Sequence, residues 1–337
     1  MALRPRTHPP PDKEGYKVVY EFGREYGVYR RGQYMFPHDE REKIRLDMMN
    51  TMFKVLRPGG NHRLFNAPVP SLEPEGKNSN RKKLPLRVAP RILDLGCGTG
   101  IWMNEMAVEF PYAEFVGVDI HYMASKCHPE NVSVRVPWDY ESPWAMGERS
   151  WDLIHMQMGL GSVSDWPGLY RKVLKHLVPG YGWFEHVELD FEPRCDDGSL
   201  RPGKLTEWWH MYLKNFYASI NRRLHYDPDT GELLLAAGFK DIHHAVYRIP
   251  LNPWSDDRGE HRAALWWGQV MSRGLEEDGG NGFEALSLAP LCRYNGWAQD
   301  HVERLCEEAL DQACDPDCRV YNELHIWWAR SPHKGEV

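Results

Sequence analysis

The sequence predicts an α/β fold built on a mainly parallel, seven-stranded sheet with helices on both faces. Three observations lead there. Short apolar runs alternate with amphipathic stretches through the centre of the chain. A glycine-rich turn joins the first run to the first amphipathic stretch of that series. The 337 residues are 42% hydrophobic, enough for a large core.

Residues 1–15 read as a disordered tail, because Pro9-Pro10-Pro11 cannot enter a helix or sheet interior. The segment 1–28 is expected to be disordered or extended. Segment 29–90 is expected to be an N-terminal helical lid followed by a long loop, and 91–337 the main domain with helical insertions. The lid helix runs from Asp39 to Leu56, with Asp39 as N-cap and Glu42 three residues on. Residues 57–90 look like loop, and their Asn80-Arg-Lys-Lys83 run is a weak nuclear-import signal. Strands are expected at 91–96, 114–119, 131–136, 151–156, 182–191, 239–251 and 318–330. Helices are expected at 101–110, 166–177, 260–273 and 299–312, with a more helical pattern after Pro193.

The net charge of −7 argues against direct nucleic-acid binding by this chain alone. The seven cysteines are irregularly spaced, without a CxxC pair, and read as reduced thiols of an intracellular protein. Neither a signal peptide nor a membrane span is read from the sequence.

The chemistry centres on Asp94-Leu-Gly-Cys-Gly-Thr-Gly100, between the first strand and first helix of the alternating region. Ligands of open α/β sheets bind at the carboxyl ends of strands beside a switch in strand order. The spacing is GxGxG rather than the GxGxxG of dinucleotide sites, which suits wrapping an amino acid and a nucleoside. Asp119 ends the second strand, 19 residues after Gly100, where a carboxylate can accept both ribose hydroxyls. Asp139 follows the third strand and is a candidate acceptor for an adenine amino group; Asp94 is a candidate to orient the ligand's ammonium. The pattern points to S-adenosylmethionine, or S-adenosylhomocysteine as product, on the Rossmann-like fold of class I S-adenosylmethionine-dependent methyltransferases. The expected cofactor set is Tyr34, Asp94, Gly96, Cys97, Gly98, Gly100, Asp119, Ile120, Asp139, Tyr140 and Gln157.

Longer segments carry a closer resemblance. Tyr29-Arg-Arg-Gly-Gln-Tyr-Met-Phe-Pro37, Asp139-Tyr-Glu-Ser-Pro-Trp-Ala-Met-Gly147, Trp151-Asp-Leu-Ile-His-Met-Gln-Met-Gly159 and Asp190-Phe-Glu-Pro-Arg-Cys-Asp-Asp197 are similar to the LaeA family of fungal methyltransferase-like regulators. Leu251-Asn-Pro-Trp254 and Tyr321-Asn-Glu-Leu-His-Ile326 resemble it too. The long loop before Arg91, Tyr181 and the stretch Glu276–Ala285 depart from the pattern. The resemblance implies a nuclear protein, with a cytoplasmic pool also compatible, that acts with velvet-domain partners on secondary metabolism and development. Methylation of one of its own methionines is implied in the same way.

Methyl transfer needs a nucleophile with a lone pair aimed at the methyl carbon and shielded from water. Met158, after the fourth strand of the series, is the candidate acceptor, because a thioether has no proton to lose; Gln157 is a candidate to orient cofactor or acceptor. The alternative for Met158 is core packing. Glu185 and His186 should face opposite ways on their strand, which rules against a dyad. His186 and His155 read as structural histidines, and His243-His244 as no metal site. Tyr34, His38 and Asp39 are candidates to close a lid, Asp39 equally to start the helix. Two other functions fit the same fold: a methyltransferase for a fungal small molecule, and a non-catalytic cofactor-binding interaction subunit.

Overall fold

The computed structural model describes residues 13–57, 63–73, 89–124, 128–272 and 282–336. The chain opens on a short 3-10 turn, Lys13–Tyr16, and a hairpin of β1 (Val18–Glu21) and β2 (Arg24–Gly27). The two residues between the strands, Phe22 and Gly23, both have positive φ, 54° and 70°. That is the turn whose twist matches paired strands. The part of the expected tail from residue 18 to 27 is therefore paired structure.

Helix α1 (Glu40–Leu56) starts where expected, with the Asp39 carboxylate accepting from the Glu42 amide. The same carboxylate takes both arms of the Arg24 guanidinium, at 2.7 and 2.9 Å, so the helix cap also anchors the hairpin.

All seven expected strands form one sheet. They are β3 (Arg91–Leu95), β4 (Glu114–Val118), β5 (Val132–Arg135), β6 (Leu153–Gln157), β7 (Trp183–Arg194), β8 (Lys240–Pro250) and β9 (Tyr321–Arg330). The order is β5-β4-β3-β6-β7-β9-β8. The first five run parallel, and β9 is antiparallel to both its neighbours. From β3 the chain builds outward to β4 and β5, then returns to place β6 on the other side. The switch in strand order thus lies between β3 and β6, where the crevice of an open α/β sheet opens.

Helices α2 (Ile101–Glu109) and α3 (Trp166–His176) follow the expected spans closely. After β7 come α4 (Lys204–Thr206), a π-helical segment (Glu207–Leu213) and α5 (Lys214–Ser219). Then come α6 (Thr230–Ala237), α7 (Arg258–Met271), α8 (Gly282–Leu288) and α9 (Gln299–Cys314). Met49, Met52 and Phe53 of α1 join Trp208, Trp209, Trp267 and Phe283 of these additions in one apolar core. A second core, around Trp151, Tyr170 and Phe184, fills the space beneath α3 and α6. No helix among the described residues is long and apolar enough to cross a membrane.

Of the expected loop at 57–90, Arg57, residues 63–73 and residues 89–90 are described; the Asn80–Lys83 run lies outside the described residues. The described part is tied to the sheet by Glu185. This fully buried carboxylate accepts from Arg57 Nη1 at 2.9 Å and from the amides of Asn66 and Ala67 at 2.5 and 2.9 Å. His186, next along β7, faces the other way, toward Tyr170 and Glu188. Replacing Glu185 with Ala strands the Arg57 charge and two amides. The expected loss is about 3–5 kcal/mol of stability in urea unfolding. A loss below about 1 kcal/mol would mean that water reaches Arg57 and stands in for the carboxylate.

Candidate functional site

A cleft of about 750 Å³, its open mouth included, lies at the carboxyl ends of β3, β4 and β6. An inner extension of about 460 Å³ shares Leu46, Gly96, Gly98, Gln157 and Met158 with it. Tyr34, Asp119, Ile120, Asp139 and Tyr140 line the outer part. Asp94, Cys97, Thr99, Trp102 and His155 line the inner part. The structure therefore brings together every expected cofactor residue except Gly100, which sits behind the cleft as the N-cap of α2.

The loop takes its shape from the strands behind it. The amides of Gly96 and Cys97 both donate to the Val118 carbonyl, and the Gly98 amide donates to Asp119 Oδ2 at 2.8 Å. Gly96 and Gly98 have φ of 73° and 52°, a region L-residues rarely occupy. A Cβ at Gly96 would meet only Tyr140 at 3.6 Å, and one at Gly98 only Leu46 at 3.8 Å. The space beside this backbone is the cleft itself. From the other side, α1 reaches the loop through Asp47, which accepts from Thr99 Oγ1 at 2.5 Å.

Asp119 holds the loop with one oxygen and accepts from the His121 amide with the other, at 3.1 Å. Burial pushes its carboxyl up to about 6, with the amide bonds opposing. His121, which stacks on His38 with ring centroids 4.2 Å apart, is pushed down to about 4 by burial. His38 in turn stacks on Tyr34, so two of the three expected lid residues join His121 in an aromatic column beside the cleft, while the third, Asp39, caps α1.

Three residues have bonding arrangements that the sequence did not show. Asp139 lines the cleft, but its carboxylate is already engaged: it pairs with Arg30 at 3.1 Å and accepts from the Glu141 amide at 2.7 Å. It ties Arg30 of the N-terminal segment to the stretch after β5. Asp94 lines the cleft, with its Oδ1 engaged by His155 Nδ1 at 2.8 Å. His155, expected to be a satisfied core residue, is satisfied on one side only, because its Nε2 is buried without a partner.

Gln157 ends β6, and Met158 follows it with φ of 63°. Left-handed backbone costs a non-glycine residue roughly 1–2 kcal/mol. Here it is held by the Met158 amide bonding to the Val187 carbonyl at 2.9 Å and by Glu188, which accepts from the Gly159 and Leu160 amides at 2.7 and 3.1 Å. His186 Nε2 lies 2.7 Å from the same Glu188 carboxylate. Glu188 and His186 thus form the support of the loop after β6. His243 and His244, far from the cleft, stack on Trp328 and Trp327.

Sequence reasoning missed Arg30, Leu46, Glu141, Ser162 and Arg222 in the cleft wall. Arg222 pairs with Glu141 at 3.0 Å, and Tyr140 Oη lies 2.6 Å from Ser162 Oγ. No spacing rule links partners so far apart in the chain.

A family model described as a methyltransferase domain matches residues 61–244. A secondary metabolism regulator of Cochliobolus heterostrophus is 42% identical over 315 residues, covering 93% of this chain and 95% of that protein. The secondary metabolism regulator laeA of Aspergillus flavus is 43% identical over 313 residues, covering 93% of this chain and 77% of its own length. A protein of Emericella nidulans that bears the name protein-methionine methyltransferase laeA is 42% identical over 313 residues, covering 93% of this chain and 76% of its own.

S-adenosylmethionine fits the residues present. Open space flanks Gly96 and Gly98, and the Asp119 carboxylate stands at the end of β4 in the cleft wall. Asp119 then gives the binding a pH dependence. If Asp119 holds the ribose, its carboxylate is ionised above about pH 7 and able to accept from both hydroxyls; as pH falls through about 6 it takes up a proton and is a weaker acceptor. His121 stays neutral through this window. Calorimetry should show S-adenosylhomocysteine affinity falling below about pH 6. Asp119→Asn should bind about tenfold more weakly at neutral pH, without that fall. A wild-type affinity flat across the window would remove Asp119 from the ribose.

Proposed function

The chain belongs to the LaeA family of methyltransferase-domain regulators of secondary metabolism, and from that premise we propose that it is a nuclear regulator acting with velvet-domain proteins and methylating its own Met158. Bound S-adenosylmethionine supplies an electrophilic methyl group on a sulfonium. The chain's own part is to hold that group and offer a nucleophile. Gly96, Gly98, Asp119 and Ile120 hold the nucleoside end, and the column of Tyr34, His38 and His121 backs the wall.

The observation that carries the reading is the backbone of Met158. Its left-handed φ sits at the end of β6, and the residue borders both parts of the cleft while also packing against the apolar core. The sulfur has a lone pair and no proton to lose, so no base is required. A relative whose name specifies protein methionine as substrate supports the same acceptor chemistry. The product would be a second sulfonium in the cleft, which repels a fresh cationic cofactor and makes the reaction close to single-turnover. A small-molecule acceptor is supported less well, because the Arg30–Asp139 and Arg222–Glu141 ion pairs stand in the cleft wall.

The partner and compartment assignments draw on the segments that resemble the family and on the net charge of −7, which favours protein partners over DNA. Two measurements test the proposal. Incubation with methyl-labelled S-adenosylmethionine followed by peptide mass analysis should place the label on Met158. Met158→Leu, which conserves side-chain volume, should abolish labelling and keep cofactor affinity. Equal labelling of both proteins, or label on another residue, would overturn the acceptor. Purified chain should also retain a velvet-domain protein after nuclease treatment. Loss of the complex with the nucleic acid, or tight salt-sensitive duplex binding by the chain alone, would overturn the partner assignment.

A further inference from the structure

Met158 stands in a conformation that its own backbone resists, and the side chain that keeps it there has no part in the chemistry described above. The β6–β7 ladder ends at the pair Gln157 and Val187, and the chain then leaves the sheet with Met158 at φ of 63°. Glu188, buried on β7, stands just past the point where the ladder stops. Its Oε1 accepts from the Gly159 amide at 2.7 Å and its Oε2 from the Leu160 amide at 3.1 Å. The carboxylate thus does for these two amides what a main-chain carbonyl would do in a continued ladder. A Cβ at Gly159 would collide with the Met156 methyl and lie 2.8 Å from the Trp166 ring and 2.9 Å from Glu188 Oε1. Only glycine lets the backbone come this close to the carboxylate.

The carboxylate is itself held. His186, two residues earlier on the same face of β7, has Nε2 2.7 Å from Glu188 Oε1 and Nδ1 3.3 Å from Tyr170 Oη. Its ring is confined by Trp166 on one side, with centroids 4.8 Å apart, and by Phe184. Gly159 and Leu160 are buried, so amides released from Glu188 lose a partner that water does not readily replace. The loop then has two reasons to rearrange: its amides seek new acceptors, and Met158 gains by leaving the left-handed region. In-line displacement is sensitive to such movement, because a shift of about 1 Å at the reacting atom can cost roughly 100-fold in rate.

We propose that Glu188 is a positioning residue for methyl transfer to Met158, fixing the backbone from which the thioether enters the cleft, with His186 holding the carboxylate in place. This rests on the reading of Met158 as the acceptor and deepens it. Alignment of the acceptor then comes from β7, whereas the glycine loop and Asp119, which hold the donor, belong to β3 and β4.

Single-turnover labelling of the full chain tests it. The appearance of label on Met158 is followed over a range of methyl-labelled S-adenosylmethionine concentrations, which separates the limiting rate from the half-saturating concentration. Glu188→Gln keeps the shape of the side chain and turns one accepting oxygen into a donor that faces an amide. It should lower the limiting rate about 10- to 100-fold and leave the half-saturating concentration within about threefold of wild type. His186→Phe keeps a ring beside Trp166 and removes Nε2; it should show the same split to a smaller degree, and it decides the matter if Glu188→Gln fails to fold. Glu185→Gln loosens the other buried carboxylate of β7 that pins main-chain amides and serves as the control for lost stability. Its melting temperature should fall while its limiting rate stays within about threefold of wild type. A folded Glu188→Gln that labels at the wild-type rate would overturn the proposal, as would a half-saturating concentration that rises in step with the fall in rate. Equal slowing by Glu185→Gln would mark Glu188 as a merely structural residue and overturn it too. Absence of label from Met158 in wild type would overturn the acceptor reading and this proposal with it.

Discussion

The bond from the Gly98 amide to the Asp119 carboxylate sets the geometry on which the rest of the cleft depends. It crosses from the turn after β3 to the end of β4, and the two strands are already locked in parallel register. Within the turn the Gly100 amide reaches the Cys97 carbonyl, and the three amides before it go to the neighbouring strand. With Gly96 and Cys97 sharing the Val118 carbonyl and Gly98 on Asp119, the loop is held open by the neighbouring strand. The same carboxylate faces the cleft, so the group that shapes the loop also reads what lies in it. Its elevated proton affinity follows from its burial within the protein, which outweighs the amide bonds that favour the ionised form.

Carboxylates accepting main-chain amides recur wherever an irregular segment must hold its shape. Asp39 caps α1 and grips the hairpin, Glu185 pins residues 66–67, and Glu188 pins 159–160. Each joins an element of the sheet or lid to a segment with no ladder of its own. Burying such groups is costly, and the cost is offset where two or more donors converge on one carboxylate. The loop after β6 shows the result: Met158 is kept in a conformation its own backbone disfavours, because the residues on either side of it are bonded to β7.

The sheet was legible because its signals are local. Runs such as RILDL and LIHMQ are short, apolar and bounded by turn residues, and Asp119 announces itself at the end of one of them. The glycine loop and the acidic strand end fall where the chain direction requires a crevice, so most of the cofactor wall could be named from spacing. What escaped was decided by pairing between distant segments. Arg30 and Asp139 meet across more than a hundred residues of chain, and no window of sequence contains both. His155 looked like a core residue because its neighbours in sequence are apolar; that one of its nitrogens is bonded and the other is not depends on the β3–β6 register. The hairpin was missed for a milder reason: its Val18/Tyr20 alternation is present, but its turn uses Phe22 where asparagine or glycine is the usual sign.

The clasp formed by Arg30 on Asp139 and Ser142 joins the N-terminal segment to the wall of the cleft. It consists of one partly exposed ion pair and one hydroxyl bond, and neither belongs to the glycine loop or to Asp119. Loosening it therefore leaves the bonds that shape the loop in place, so this side of the wall yields independently of the strand ends.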